Sequence, residues 1–429
     1  MTPEFFPYQI AGSDFLAQRR RAMLADEPGL GKTAQAIRAA NITGADPVLV
    51  VHPASVRSSW LRDIATFGAG QRFVLQSYDK TARDWEQYEG PWGAIILDEA
   101  HRLKSPSARR TQAIYGSMQF RGLLPLAGHV WALTGTPAPN NPAELHTHMA
   151  ALFPEALRMA SNPGRIYDRD GFMHRYCKLR DTTFGLRVVG SKNLEDLRER
   201  LKPHLIRRLK KDVLADLPDI QYEPLLLDAP EALAALAEIP GDEMDAIREV
   251  LKDGDAAALQ SLTAQMTSLR RITALAKAPI VAAWVREFLA DTDRKIVIFA
   301  HHRDAIEILL EQLRHVLGQD VKIPMITGGS QPSNRALAIE RFQNDPKYRV
   351  FIGQIQAAGE GITLTAASDL IFLEQSWVPS ENAQAAMRIH RIGQKRGCMV
   401  RYATLAGSID EAVQRVLARK TQMLSGLFG

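Results

Sequence analysis

The stretch LADEPGLGKTAQAI (24–37) sets Lys32 between Gly31 and Thr33, after a short apolar run and ahead of a helix-like segment. Backbone N–H groups at such a turn can cradle a β-phosphate. An ammonium there bridges β- and γ-phosphates, and a hydroxyl next to it holds Mg²⁺. The common pattern G-x-x-x-x-G-K-[ST] wants glycine five places before Gly31, and Asp26 stands there instead. A second pair of chemical interest lies in AIILDEAHRLK, where Asp98 and Glu99 directly follow an apolar run. At the C-terminal edge of a parallel sheet, Asp98 can hold Mg²⁺ while Glu99 orients and deprotonates an attacking water.

Arg388 and Arg391 in AMRIHRIGQ are three apart, which predicts one helix face for both, with Gln384 beside them. Guanidinium groups stay charged and meet phosphate oxygens with two parallel hydrogen bonds. His301 and His302 have no third ligand at useful spacing, and Trp377 reads as packing.

These residues need strands and helices to position them. PVLVV (47–51), AIIL (94–97) and VWALTG (130–135) read as buried strands, followed later by KIVIFA (295–300), RVFIGQI (349–355), DLIFLE (369–374) and MVRYATL (399–405). Each is followed by a helix-like stretch, so the pattern is α/β, with parallel sheets covered on both faces. Two doubly wound lobes are expected, 1–228 and 229–429, with the break near 225–232. A helical insertion at about 150–215 and a helical lead-in of two or three helices at about 229–290 accompany them.

The 429 residues suit two cores better than one, and 46% apolar with 24% charged residues is ordinary for a globular chain. No apolar run reaches the roughly 20 residues of a membrane span. The first residues lack the layout of a secretory signal, and two cysteines suggest no disulfide framework. A cytoplasmic protein is the expectation. The net charge of +5 is compatible with a polyanionic partner. Basic clusters stand at 19–21, at RLKSPSARR (102–110) and at LIRRLKKDV (205–213).

DEPGLGKT, DEAH, LTGTPAPNNPAEL (133–145), FAHHRDAIEIL (299–309), AAGEGITLTAASDLIFLEQSWVP (357–379) and QAAMRIHRIGQ occur in this order. Together they resemble the motif series of the Swi/Snf-type DNA translocases of helicase superfamily two. That family commonly carries Asp where Asp26 stands. FAHH, GTPAPNNPAEL and SKNLEDLRERLKPHLIRRLKKDVLADLP (191–218) are similar to the annealing-helicase (HepA-related) branch, whose accessory substrate-recognition modules are absent from these motifs.

The resemblance implies two RecA-like lobes that use ATP and Mg²⁺. Asp26, Glu27, Gly29, Leu30, Gly31, Lys32 and Thr33 would form the nucleotide loop, with the Gln9 amide pairing the adenine edge. Thr33 and Asp98 would hold Mg²⁺, and Glu99 would be the base. Arg388 and Arg391, with Gln384, would act on the γ-phosphate as arginine fingers. Thr134 and Thr136, with the intervening glycine and following proline, would couple nucleotide state to DNA. Gly359, Gly361 and Thr363 would approach DNA phosphate or the nucleotide. Lys104, Arg109 and Arg110 would contact DNA phosphates.

The implied partner is double-stranded or branched DNA, bound largely without sequence preference and in a salt-sensitive way. The implied function is ATP-driven translocation on duplex DNA that remodels forks, bubbles or bound proteins. A strand-separating helicase would need a wedge or a single-strand stacking platform, and no aromatic hairpin is inserted between the motifs. An ATP-gated clamp without hydrolysis is at odds with an intact Glu99, Arg388 and Arg391.

Overall fold

In the computed structural model, residues 4–182, 185–230, 263–359, 361–406 and 408–428 are described. The chain divides into two compact units, the first of Met1–Arg180, Val188–Ala215 and Gln422–Gly429, the second of Asp181–Arg187 and Asp216–Thr421.

The first unit is built on β1 (Arg21–Leu24), β2 (Val48–His52), β3 (Phe73–Ser77), β4 (Trp92–Asp98), β5 (Ala127–Leu133) and β6 (Leu205–Ile206). Its sheet runs β6-β1-β5-β4-β2-β3, and every pairing is parallel. Side chains alternate across a strand, so a sheet buried on both faces needs apolar residues at every position. Met23, Leu49, Val51, Ile95 and Leu97 enter one core. Ala22, Leu24, Val48, Val50, Ala94 and Ile96 enter the core on the other face.

The second unit repeats this plan with β7 (Ile220–Leu227), β8 (Lys295–Ala300), β9 (Met325–Ile326), β10 (Val350–Gln354), β11 (Ala367–Phe372) and β12 (Cys398–Leu405). The order is β7-β12-β11-β8-β10-β9, again all parallel. Val297, Phe299, Leu370 and Phe372 face one core, whereas Ile296, Ile298 and Ile371 face the other. Two doubly wound parallel sheets are what the alternation of strand-like and helix-like runs implied.

Two expectations need correcting. Ile220–Leu227, placed at the end of the first lobe by the 228/229 break, pairs along its whole length with β12 of the second sheet. The segment at about 150–215 is not purely helical. It carries the antiparallel pair Arg158–Met159 with Asn162–Ile166, and its Leu205–Ile206 extends the first sheet beside β1. Of the helices expected at about 229–290, one, Thr263–Asp291, lies in the described part, and the rest of that expectation falls on 231–262, outside the described residues. No helix among the described residues is long and apolar enough to cross a membrane.

Candidate active site

The phosphate loop follows β1 and ends where the helix Lys32–Thr43 begins. Gly29 and Gly31 take φ of 94° and 73°, a backbone region that glycine occupies without steric cost. A Cβ on Gly31 would also lie 2.5 Å from Gln9 Nε2. Gln9 is buried against the loop: its Nε2 donates to Leu30 O at 3.3 Å and its Oε1 accepts from Phe6 N at 3.1 Å. Lys32 Nζ donates to the carbonyls of Asp26 (2.7 Å) and Glu27 (3.3 Å), so the ammonium is folded over the loop. Burial lowers the Lys32 pKa, against the opposing pull of Glu99, Asp26 and Asp98.

Asp26 explains the departure from the glycine pattern. Its carboxylate is fully buried and accepts from Arg208 Nε (2.9 Å), Arg208 Nη2 (2.5 Å), the Arg208 backbone N–H (3.1 Å) and Gln35 Nε2 (3.1 Å). The Arg208 guanidinium also donates to Gln35 Oε1 at 2.8 Å and to Tyr8 O. Nearby, Glu27 Oε2 accepts from the Lys210 backbone at 2.5 Å, and Arg207 Nη1 donates to Ala25 O and Gly135 O, both at 2.9 Å. The cluster LIRRLKKDV therefore clamps the phosphate loop from beside β6, with Arg207 and Arg208 turned onto the loop while Lys211 stays exposed. Removing one partner of a buried ion pair strands the other charge, at a cost of about 3–5 kcal/mol. Arg208→Ala is accordingly expected to lower the first thermal unfolding transition markedly while Arg109→Ala does not. An unchanged melt for Arg208→Ala would make the clamp energetically idle.

Asp98 ends β4 and Glu99 follows it in the left-handed region, φ 51° and ψ 50°. The two carboxylates take different partners. Asp98 Oδ2 accepts from Trp60 Nε1 at 2.8 Å and Oδ1 from Glu99 N at 3.0 Å, while Tyr78 Oη donates to Asp98 O at 2.7 Å. Burial first, then the adjacent Glu99 charge, raises the Asp98 pKa to about 7. A buried carboxylate that lacks sufficient positive charge fits a Mg²⁺ ligand, since a divalent cation would restore its ionised form.

Glu99 Oε2 lies 3.3 Å from His101 Nδ1, which is in turn 3.2 Å from Thr134 Oγ1. Thr134 Oγ1 also accepts from Thr136 N at 3.1 Å. The turn after β5 packs directly on the loop: a Cβ at Gly135 would fall 2.8 Å from Pro28 Cγ. Glu99, His101 and the Thr134–Thr136 turn thus form one contiguous chain of polar contacts. Trp60, His101, Arg207 and Arg208 were not among the expected site residues. Of these, His101 carried a signal in its place in DEAH, and Arg207 and Arg208 in the basic cluster LIRRLKKDV; Trp60 carried none.

The expected DNA contacts divide. Lys104 Nζ pairs with Glu144 Oε1 at 2.9 Å, and Glu144 also accepts from Asn140 Nδ2 at 2.8 Å. Arg110 Nε donates to Arg102 O at 3.0 Å. Arg109 is exposed, and with Arg110 and Arg83 it lines a surface hollow of about 340 Å³. The 19–21 cluster is spent on backbone carbonyls: Arg19 on Pro203, Arg20 on Gly128 and Arg21 on Ala151.

In the second unit the helix Pro379–Ala386 stops before Arg388, so the expected shared helix face does not exist. Arg388 N donates to Ala385 O and Ile389 N to Ala386 O, tightening the chain into turns. The two guanidinium groups nevertheless converge. Arg388 Nη1 and Arg391 Nη1 each donate to Ile362 O at 3.3 Å, and Arg391 Nη1 also reaches Thr363 Oγ1 at 3.0 Å. Arg388 Nε is tied to Gln384 O at 2.9 Å. Thr363 and Gly361 therefore sit on the same segment that receives the arginines; Gly359 closes the preceding turn by donating to Ile355 O at 2.7 Å. Glu360, between the two glycines, lies outside the described residues.

His301 and His302 meet a carboxylate and no metal cluster among the described residues. Glu374 Oε1 is 2.6 Å from His302 Nδ1, and Oε2 accepts both histidine backbone N–H groups. Burial alone would raise the Glu374 pKa, but His302 and these N–H groups hold it down to about 2.

An SNF2-related domain matches residues 8–85 and 67–232, and a Helicase conserved C-terminal domain matches 280–393. The chain belongs to the SNF2-related family. Its two matched domains are those of a helicase-like ATPase. The human DNA annealing helicase and endonuclease ZRANB3 is 31% identical over 98% of the chain and 40% of its own length. The Drosophila melanogaster SWI/SNF-related matrix-associated actin-dependent regulator of chromatin subfamily A-like protein 1 is 30% identical over 100% of the chain and 57% of its own length. This SNF2-related chain thus spans only about half the length of those relatives. The Sulfolobus solfataricus SWI2/SNF2 ATPase core in complex with dsDNA shares 23% identity over 99% of the chain and 94% of its own, with a TM-score of 0.45.

Proposed function

We propose that this chain is the motor core of a double-stranded DNA translocase that remodels branched or bubbled DNA, or DNA-bound proteins, by ATP hydrolysis. The chain of contacts from Glu99 through His101 to the Thr134–Thr136 turn carries this reading. It ties the base that senses the γ-phosphate to a turn that also packs on the phosphate loop. Lys32 leaves the carbonyls of Asp26 and Glu27 for the β- and γ-phosphates, and Gln9 offers its amide to the adenine edge. Thr33 and Asp98 would hold Mg²⁺, which when bound neutralises phosphate charge. Glu99 takes the proton of the attacking water. Arg388 and Arg391, with Gln384 beside them, answer the charge on the γ-phosphate, as arginine fingers do.

Arg109 and Arg110 are proposed phosphate contacts on duplex DNA; Lys104 contributes only when it leaves Glu144. Gly359, Gly361 and Thr363 report the state of the arginines to the DNA. The name borne by one relative, an annealing helicase, supports re-annealing as the outcome.

Separating strands costs about 1.4 kcal/mol of stacking per base-pair step, so a motor that merely tracks the backbone leaves a blunt duplex paired. The expected result is ATP-dependent release of a third strand from a triplex and closure of a bubble, with no single strands released from a plain duplex. A non-hydrolysable analogue should support none of it. Efficient release of single strands from the blunt duplex would establish a strand-separating helicase instead.

A further inference from the structure

The second sheet ends at β9, only two residues long, with no strand on its outer side among the described residues. Its register pairs Met325 with Ile352, and Ile352 N donates to Pro324 O. In a parallel ladder this turns the N–H and C=O of Met325 away from β10, to the outer side of the sheet. An unpaired strand edge is a template for another strand unless something blunts it.

Beside this edge lies a groove of about 570 Å³. Ile323 and Met325 form its apolar floor with Leu337, a leucine that is 41% exposed. Arg314, from the last turn of the helix Arg303–Leu317, stands on its wall with Lys322 and Arg341. Arg341 stacks over Tyr348 at 5.8 Å. None of these three cations has an ion-pair partner among the described residues, and Asp320 is the carboxylate in the lining. Elsewhere in the unit exposed arginines are typically matched, as Arg303 is by Glu307 and Arg396 by Asp293.

We propose that this groove binds an extended acidic peptide of a partner protein, added as a strand to the outer side of β9. The peptide backbone pairs with Met325, its apolar side chains rest alternately on Ile323 and Leu337, and its carboxylates meet Arg314, Lys322 and Arg341. A nucleic-acid backbone would use the three cations but neither the apolar floor nor the free strand edge. No residue lining the groove is assigned to ATP or to DNA, so the proposal stands or falls independently of the proposed motor.

The probe is a fluorescein-labelled decapeptide alternating Glu with Val or Leu, titrated against the full chain by fluorescence anisotropy. Saturable binding is expected, absent for the same peptide with Lys in place of Glu and for one N-methylated at alternate residues. The double charge reversal Lys322→Glu with Arg341→Glu should weaken binding by about tenfold or more, since surface charges set complementarity at such sites. Its ATPase rate should stay unchanged. No saturable binding of the acidic peptide, or equal affinity after the reversal, overturns the proposal. So does a short DNA duplex whose binding falls on the same reversal while the peptide shows none, which would make the groove a nucleic-acid contact.

Discussion

Glu99→Gln is expected to leave ATP bound and almost unhydrolysed. The amide is nearly isosteric with the carboxylate and keeps an oxygen within reach of His101, now 3.3 Å from Glu99 Oε2. The backbone at this position, φ 51°, is unchanged by the swap. Lys32, Thr33 and Asp98, which would carry the phosphates and Mg²⁺, are untouched, so nucleotide affinity should hold or tighten. What disappears is the proton acceptor, and a positioned general base contributes about 10²–10⁴-fold. A fall in turnover of that size, with binding measured separately by a fluorescent ATP analogue, is the expected outcome. Lys32→Ala should abolish hydrolysis and weaken binding as well, which distinguishes a lost base from a lost phosphate clamp. Near-normal turnover in Glu99→Gln would remove Glu99 from its assigned role.

The sequence revealed local features and concealed distant pairings. Strands β2, β4, β5, β8, β10, β11 and β12 are legible because sheets buried on both faces demand unbroken apolar runs. β6 and β9 are two residues each, too short for any pattern to register. β7 reads as the end of the first lobe by position. Its partner β12 lies far along the chain, with Ile220 opposite Cys398.

The site behaved the same way. Lys32, Thr33, Asp98 and Glu99 follow from short motifs. The reason Asp26 replaces glycine lies instead in Arg208, and the support for Asp98 comes from Trp60. LIRRLKKDV stands in the sequence as one more basic cluster, because charge density says nothing of which carboxylate it will meet. Arg388 and Arg391 show the converse case. Their spacing predicts a shared helix face, and the helix ends too soon, yet turns bring both onto Ile362 O.

That shared carbonyl makes Arg391 the better arginine to remove. Arg388 is buried, and its guanidinium holds Gln384 O as well as Ile362 O, so its loss would disturb the segment that both arginines brace. When Arg391 is cut to Ala, Arg388 Nη1 still donates to Ile362 O at 3.3 Å, and the second unit keeps its fold. Thermal melting of Arg391→Ala should therefore match the unmodified chain. Its ATP affinity should stay within about tenfold, or roughly 1.4 kcal/mol. Turnover, by contrast, should drop by about 10³-fold or more, the scale on which an arginine finger acts at the transferred phosphoryl group. Arg391→Lys keeps the charge but loses the planar fork, and it should recover little of the rate. Full activity in Arg391→Ala with an unchanged melt would leave the residue as a brace for Thr363 and no more. Loss of activity together with a lowered melt would assign the effect to folding, and Arg391→Lys, which can still reach Thr363 Oγ1, separates those cases by restoring the melt without the rate.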